Sequence, residues 1–156
     1  MTSLDALDIK ILEALHANAR LTNQDLSERV SLSASQCARR RQRLEEAYVI
    51  AGYRVLLDPF ATGLQTEALI EVVGNAYSAE NDADFRRLLD RTPEIIDAWS
   101  LTGAVDYMLR AQVKNLGSLA TLLNETLLAH PAVARTHAHI ALEVLKSAGM
   151  PKLTTE

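Results

Sequence analysis

Leu4, Leu7, Ile11, Leu12 and Leu15 recur at three- and four-residue intervals, with Asp5, Asp8 and Glu13 between them. This spacing lines one face of an amphipathic helix of about three to four turns, which Asn18-Ala19-Arg20 closes. Thr22 followed by Asp25 opens a second helix, since their side-chain oxygens can satisfy N–H groups left unpaired at a helix start. Leu26 and Val30 give that helix a short apolar face. Val30–Ser33 has room only for a tight turn. Ser33 and Gln36 repeat the capping pattern, and a third helix runs to about Tyr48. Two helices joined by a tight turn after a first one predict a helix-turn-helix, whose third helix enters the major groove of double-stranded DNA.

At 100° per residue, Cys37, Leu44 and Tyr48 share the face of the third helix that packs inward. Ser35, Arg39, Gln42 and Arg43 point the other way, with Arg40 and Arg41 on the flanks, where long side chains reach phosphates. Arginine pairs bidentately with guanine and glutamine with adenine, so this face has the chemistry of base recognition. A solvated basic helix face is the plainer alternative. Ile50–Leu57 is rich in β-branched and aromatic residues and ends at Asp58-Pro59. It predicts a short strand pair or wing, with Arg54 available for a backbone phosphate.

Beyond a linker at 60–65 the period changes. Thr66–Gly74 alternates as a strand, with Ala68, Ile70 and Val72 on one face, and a helix aligning Phe85, Leu88 and Leu89 ends near Thr92-Pro93. Strands follow at Ile95–Leu101 and Val105–Val113. A second helix carries Leu116, Leu119, Leu122, Leu123 and Leu127 and ends at His130-Pro131. A last strand alternates Thr136, Ala138, Ile140, Leu142 and Val144 with His137, His139, Ala141 and Glu143. The order βαββαβ is the ferredoxin-like plan, a four-stranded antiparallel sheet with both helices on one face. The chain is thus α+β, and the opposite sheet face, carrying Trp99 or its neighbours with Met108 or Tyr107, needs a cover. A second copy is the simplest cover and predicts a two-fold dimer.

Charge sharpens the division. The 156 residues carry a net −4, a total that taken alone argues against a polyanionic partner. Residues 1–60 nevertheless hold eight basic and eight acidic side chains, while 61–156 hold eight and twelve. Five arginines (Arg29, Arg39, Arg40, Arg41 and Arg43) lie between Glu28 and Glu45 with no acid among them, and a local basic stripe matters more than the total. A composition 48% hydrophobic and 23% charged is that of a globular protein. No apolar run approaches a membrane span, and Met1-Thr2-Ser3-Leu4-Asp5 lacks the basic start of a signal peptide. The single Cys37 cannot form an internal disulfide, so cytoplasmic residence is expected.

Signals for catalysis are thin. There is no glycine-rich phosphate loop, cysteine pair or nucleophile elbow, so no catalytic residue and no cofactor is expected. His137 and His139 share a strand face and could ligate a metal with a partner chain's carboxylate. The simpler reading is a polar pair at an interface or sheet rim, and no metal site is expected. Cys37 reads as a small core residue. The loop Leu101-Thr102-Gly103-Ala104-Val105-Asp106-Tyr107 joins two strands, and its glycine can bring backbone close to a small ligand or simply serve the turn.

Several of these pieces together resemble the Lrp/AsnC (leucine-responsive, feast/famine) transcription regulators. Leu4-Asp5-x-x-Asp8-x-x-Ile11-Leu12-x-x-Leu15 is similar to their opening helix. Leu32-Ser33-x-x-x-Cys37-x-x-Arg40-x-x-Arg43-Leu44-Glu45 with Ile50-x-Gly52-Tyr53 is similar to their recognition helix and wing. Gly103-x-x-Asp106-Tyr107, Glu125–Leu128 and Pro131-x-Val133 are similar to their regulatory domain. The resemblance reaches about Lys146. It implies a DNA-binding domain over 1–59, the 60–65 linker, an effector-binding and oligomerisation domain over 66–146 and a tail over 147–156.

The resemblance also implies contacts to bases or backbone from Ser33, Ser35, Gln36, Arg39, Gln42 and Arg43, and to phosphates from Arg40, Arg41 and Arg54. Thr102, Gly103, Ala104, Val105, Asp106 and Tyr107 would line the site of a small effector, usually an amino acid. Homodimers pairing as a β-sandwich would assemble further, often into octamers. Ser31 stands where the family usually has a turn glycine. Arg41 stands at a usually apolar position, and Ala104 replaces the loop's first acid. Two alternatives share the plan: a sirohaem decarboxylase-like enzyme using the histidines, and an architectural DNA-binding protein without an effector.

Overall fold

The computed structural model describes residues 3–75, 79–147 and 149–154. Met1 and Thr2 of the opening segment, and 148, 155 and 156 of the tail, lie outside the described residues. The chain forms two compact units, Met1–Leu56 with Lys146–Glu156 and Leu57–Leu145.

The first unit is built on three helices, α1 (Ala6–Ala17), α2 (Asn23–Val30) and α3 (Ala34–Glu46). Each begins with a reciprocal capping box, Asp5 with Asp8, Thr22 with Asp25 and Ser33 with Gln36, which satisfies donors that no helical carbonyl can reach. Ile11, Leu15, Leu26, Val30, Cys37 and Leu44 form the buried core. Burial pushes the Cys37 thiol pKa up, as suits a packing residue rather than a reactive one. Met150 and Leu153, in the segment read as a tail, pack against the same core. The turn between α2 and α3 holds Ser31 in the left-handed region at φ 57°, a conformation that costs a side-chain-bearing residue about 1–2 kcal/mol.

Two expectations fail here. Tyr48 is 84% exposed instead of packed inward. The helix stops at Glu46, and the N–H groups of Tyr48 and Val49 turn back to the carbonyls of Glu45 and Leu44. This Schellman closure puts Tyr48 at φ 54° and swings Val49 and Ile50 onto the core in its place. The strand pair expected over Ile50–Leu57 does not form either, because no described residue pairs with that extended stretch. Its β-branched residues lack a neighbouring ladder, without which an isolated ribbon is at best marginal.

The second unit opens with a single helical turn, α4 (Pro59–Thr62), capped by Asp58 and closed by Gly63 at φ 74°, inside the stretch expected as linker. Then follow β1 (Thr66–Gly74), α5 (Ala79–Arg91), β2 (Ile95–Ser100), β3 (Tyr107–Val113), α6 (Leu116–Thr121) and β4 (Val133–Ile140). The sheet is antiparallel in the order β2-β3-β1-β4. β4 stops at Ile140, short of the Leu142 and Val144 that the alternation predicts, because its ladder with β1 ends at the Ala68–Ile140 pair, near where β1 begins at Thr66. Ala68, Ile70, Val72, Leu109, Ala111 and Val113 pack against Phe85 of α5 and Leu119 of α6, so both helices cover one face. The second helix does not continue regularly. Leu122–Leu127 widens into a π-helical segment; Leu116, at the start of α6, is exposed, while Leu119, Leu122 and Leu127 are buried.

On the other face Trp99 lies opposite Met108, and Arg110 spans Asp97, through Nε at 2.8 Å, and Glu67 at 3.6 Å. Trp99 is 48% exposed. Tyr107 belongs to the helix-covered side, its ring 4.9 Å from that of Phe85.

Candidate nucleic-acid interface and ligand loop

The placement of α3 depends on a residue that composition does not single out. Asp8 sits three residues before Ile11 and seven before Leu15, on the buried face of α1, and is fully buried. A carboxylate there must be paired, because an isolated buried charge is very costly. Arg40 supplies Nη1 at 2.7 Å to Asp8 and at 2.7 Å to Asp5, and Arg43 donates to the second oxygen of Asp8. The Asp5 carboxylate is held below its ordinary pKa by the Asp8 N–H and by Arg40. The same pairing holds the Arg40 guanidinium above its ordinary pKa. Two of the four α3 arginines thereby lock α3 to α1.

Arg41 also has partners inside the unit. Its Nε lies 3.0 Å from both Glu45 and the Tyr53 hydroxyl, and its guanidinium is 5.0 Å from the Tyr53 ring centre. The Tyr53 hydroxyl in turn donates to Glu45 at 2.7 Å. The segment expected as a wing is therefore anchored to α3 by this clamp, while Arg54 stays exposed.

What remains open on α3 is a narrower set. Ser35, Gln36, Arg39, Gln42 and Arg43 are all exposed, and a notch of about 280 Å³ is lined by Gln36, Arg39, Arg40 and Arg43. Arg39 makes no ion pair among the described residues. Ser33 and Gln36 spend one hydroxyl and one amide oxygen on the cap, and Gln42 donates to Glu46 at 2.8 Å. Residue spacing missed Asp8 and Asp5 as organisers of this surface, although the helical register of Asp8 with Ile11 and Leu15 is a signal of its burial.

In the second unit the Thr102–Asp106 loop is exposed apart from half-buried Val105, with Gly103 at φ 122°. The Leu101 N–H meets the Asp106 carbonyl at 2.8 Å, and the Asp106 N–H meets the Val72 carbonyl at 3.0 Å. The Asp106 carboxylate accepts the Gly74 N–H at 2.8 Å, which pins the loop to the end of β1. β3 begins at Tyr107 rather than Val105. The Tyr107 hydroxyl donates to Asp82 at 2.6 Å, and that carboxylate, with burial, pushes the tyrosine pKa up to about 12. Tyr107 thus packs at the edge of the core, beside the loop.

The AsnC-type helix-turn-helix domain matches residues 4–45, and the Lrp/AsnC ligand binding domain matches residues 67–151. The chain belongs to the Lrp/AsnC family. Among Lrp/AsnC relatives, a leucine-responsive regulatory protein of Rhizobium meliloti is 36% identical over 148 residues, covering 93% of each chain. A Bkd operon transcriptional regulator of Pseudomonas aeruginosa is 33% identical over 98% of this chain and 100% of its own. A transcriptional regulator of Neisseria meningitidis solved as a complex with L-methionine superposes with a TM-score of 0.90 at 36% identity, over 93% of this chain and 94% of that one. Among the described residues of this Lrp/AsnC protein, no helix is long and apolar enough to cross a membrane.

Proposed function

We propose that this chain is a sequence-specific DNA-binding transcription regulator that responds to an amino acid or a related small metabolite and has no catalytic role. The observation that carries the reading is the exposed polar face of α3, from Ser35 to Arg43, on a helix whose orientation is fixed by Asp8. An α-helix fits the major groove, and Arg39 is a cation there without an internal partner among the described residues. Arg40 and Arg41, committed to Asp8 and Glu45, orient the reader more than they hold phosphate, and exposed Arg54 is the better phosphate contact. A sirohaem decarboxylase-like enzyme has a use for the two histidines but none for such a helix.

Selecting binding fragments from the source genome, followed by gel shifts, tests this. Arg39→Ala should weaken the selected site by about 1–3 kcal/mol, roughly 5- to 150-fold, and relax preference at one position. Wild-type affinity in both Arg39→Ala and Arg43→Ala would end the docking reading.

For the ligand, backbone N–H groups around Gly103 and Ala104 offer donors to a carboxylate. With Ala104 in place of an acid, an ammonium must find Thr102, the free oxygen of Asp106, a carbonyl or a neighbouring chain, since leaving it buried and unpaired is costly. Thermal shifts against the twenty amino acids should therefore be small for wild type and larger for Ala104→Asp. A large wild-type shift that the variant fails to increase refutes this account of Ala104. The open sheet face around Trp99 is best covered by a second copy, giving homodimers that build closed rings up to an octamer. Light scattering should find no 17 kDa species at micromolar concentration.

A further inference from the structure

The sheet face opposite the helices, which the proposed homodimer would bring against a second copy, carries a side-chain cluster that DNA reading does not use. We propose that Glu71, His137 and His139 form a binding site for one divalent transition-metal ion of the zinc type. Histidines two apart on β4 point to the same side, and the β1–β4 register sets Glu71 directly opposite His137 and Leu69 opposite His139. The third ligand thus comes from the same chain, without help from a partner. One donor atom from each residue lies within 4.8 Å of the other two.

The spacing suits a metal more closely than proximity alone requires. His139 Nε2 and Glu71 Oε1 are 3.4 Å apart. The edge of a tetrahedron with bonds of about 2.0–2.1 Å is roughly 3.3–3.4 Å. The His137 and His139 rings stack with centres 4.6 Å apart and planes inclined by 21°, so a small change in side-chain torsion brings a His137 nitrogen to the third corner. Two imidazoles and one carboxylate select zinc, copper(II) or nickel(II) over magnesium or calcium, which prefer all-oxygen shells. Three protein ligands leave a fourth position open. Beside it lies a cavity of about 230 Å³ lined by Glu71, Val73, Val105, Arg135, Thr136 and His137, large enough for a water or a small anion. Arg135 lines the same cavity, so its guanidinium opposes the cation itself, while a divalent ion with one carboxylate keeps a net positive charge that an anionic fourth ligand would offset.

The test is calorimetric titration of the tag-free, chelator-treated full chain with zinc chloride, and with cobalt(II) for visible spectra. Wild type should bind one ion per chain and give the intense visible bands of tetrahedral cobalt. His137→Ala and His139→Ala should each weaken binding at least about tenfold and abolish those bands, with Glu71→Gln intermediate. All three positions are exposed or half-buried on the sheet surface, and thermal melts of the variants check that they fold. His16→Ala, on the other unit, should bind as wild type. Absence of a one-to-one isotherm up to the order of 0.1 mM zinc, or an isotherm unchanged in the His137→Ala/His139→Ala double variant, overturns the site. Gel shifts on the same samples keep the two readings apart, because DNA binding surviving a failed metal titration leaves the regulator assignment standing.

Discussion

Replacing Asp8 by asparagine preserves side-chain volume and removes the charge that ties α1 to α3. In the wild type this buried carboxylate accepts from Arg40 at 2.7 Å, from Arg43 and from the Asp5 N–H at 3.1 Å. Breaking a wholly buried pair costs about 3–5 kcal/mol, whereas an exposed pair contributes less than about 1 kcal/mol. The Arg40 side chain is 25% exposed and that of Arg43 49%, so both regain water when the charge is lost and the cost falls between these limits. We expect Asp8→Asn to destabilise the first unit by about 2–3 kcal/mol, and at about 4–8 °C per kcal/mol for a body of this size the midpoint drops by roughly 10–20 °C. Urea unfolding followed by circular dichroism measures the energy. A cycle with Arg40→Gln isolates the pair, with an expected coupling of about 1 kcal/mol or more. A loss below about 0.5 kcal/mol in Asp8→Asn, or no coupling in the cycle, would refute the role given to this carboxylate.

Three further expectations follow from local geometry. Ser31→Gly relieves a left-handed strain of about 1–2 kcal/mol but returns about 0.4–1 kcal/mol to the unfolded chain, so the urea midpoint should rise modestly; a fall would show that Ser31 is unstrained. Tyr107 is neutral when folded and its pKa is raised from 10.0 to about 12, so its contribution is complete below pH 10 and disappears as pH climbs through 12. Wild type should therefore lose more stability than Tyr107→Phe between those values, and parallel pH curves would contradict the Asp82 bond. At the acid end the Asp5 carboxylate is held below its ordinary 3.8, so its stabilisation is present above that value and fades as pH falls beneath it; Asp5→Asn should flatten the acid limb of the curve.

Capping boxes and alternation were the signals that read through from sequence to structure. Thr22 with Asp25 and Ser33 with Gln36 cap the helices expected of them, and β1 spans Thr66–Gly74 as its alternation predicts. These are local effects, set by neighbours within four residues. Tyr48 was misread because helical period continues on paper past the point where the Schellman closure ends the helix. Ile50–Leu57 was misread because β propensity describes a strand only when a partner exists to pair with it. For α3 the charge run identified the helix but not the duties of its arginines. Arg40 and Arg43 find Asp8 thirty-two and thirty-five residues away, and no spacing rule along one helix contains that. Glu71 opposite His137 was hidden likewise, since strand register across a sheet is invisible until the strands are aligned.

The packing of Met150 and Leu153 on the helix-turn-helix core bears on the order in which the protein matures on the ribosome. Domains generally fold as they emerge, N-terminal first, at about 5–20 residues per second of synthesis. Here the core that begins at Leu4 is not fully covered until the 89 residues of Leu57–Leu145 have been added, roughly 4–18 seconds later at that rate. Throughout that interval the DNA reader exists with part of its apolar surface uncovered, exposed to proteases and chaperones. Nascent chains interrupted inside the second unit therefore carry a reader whose core lacks the cover of Met150 and Leu153.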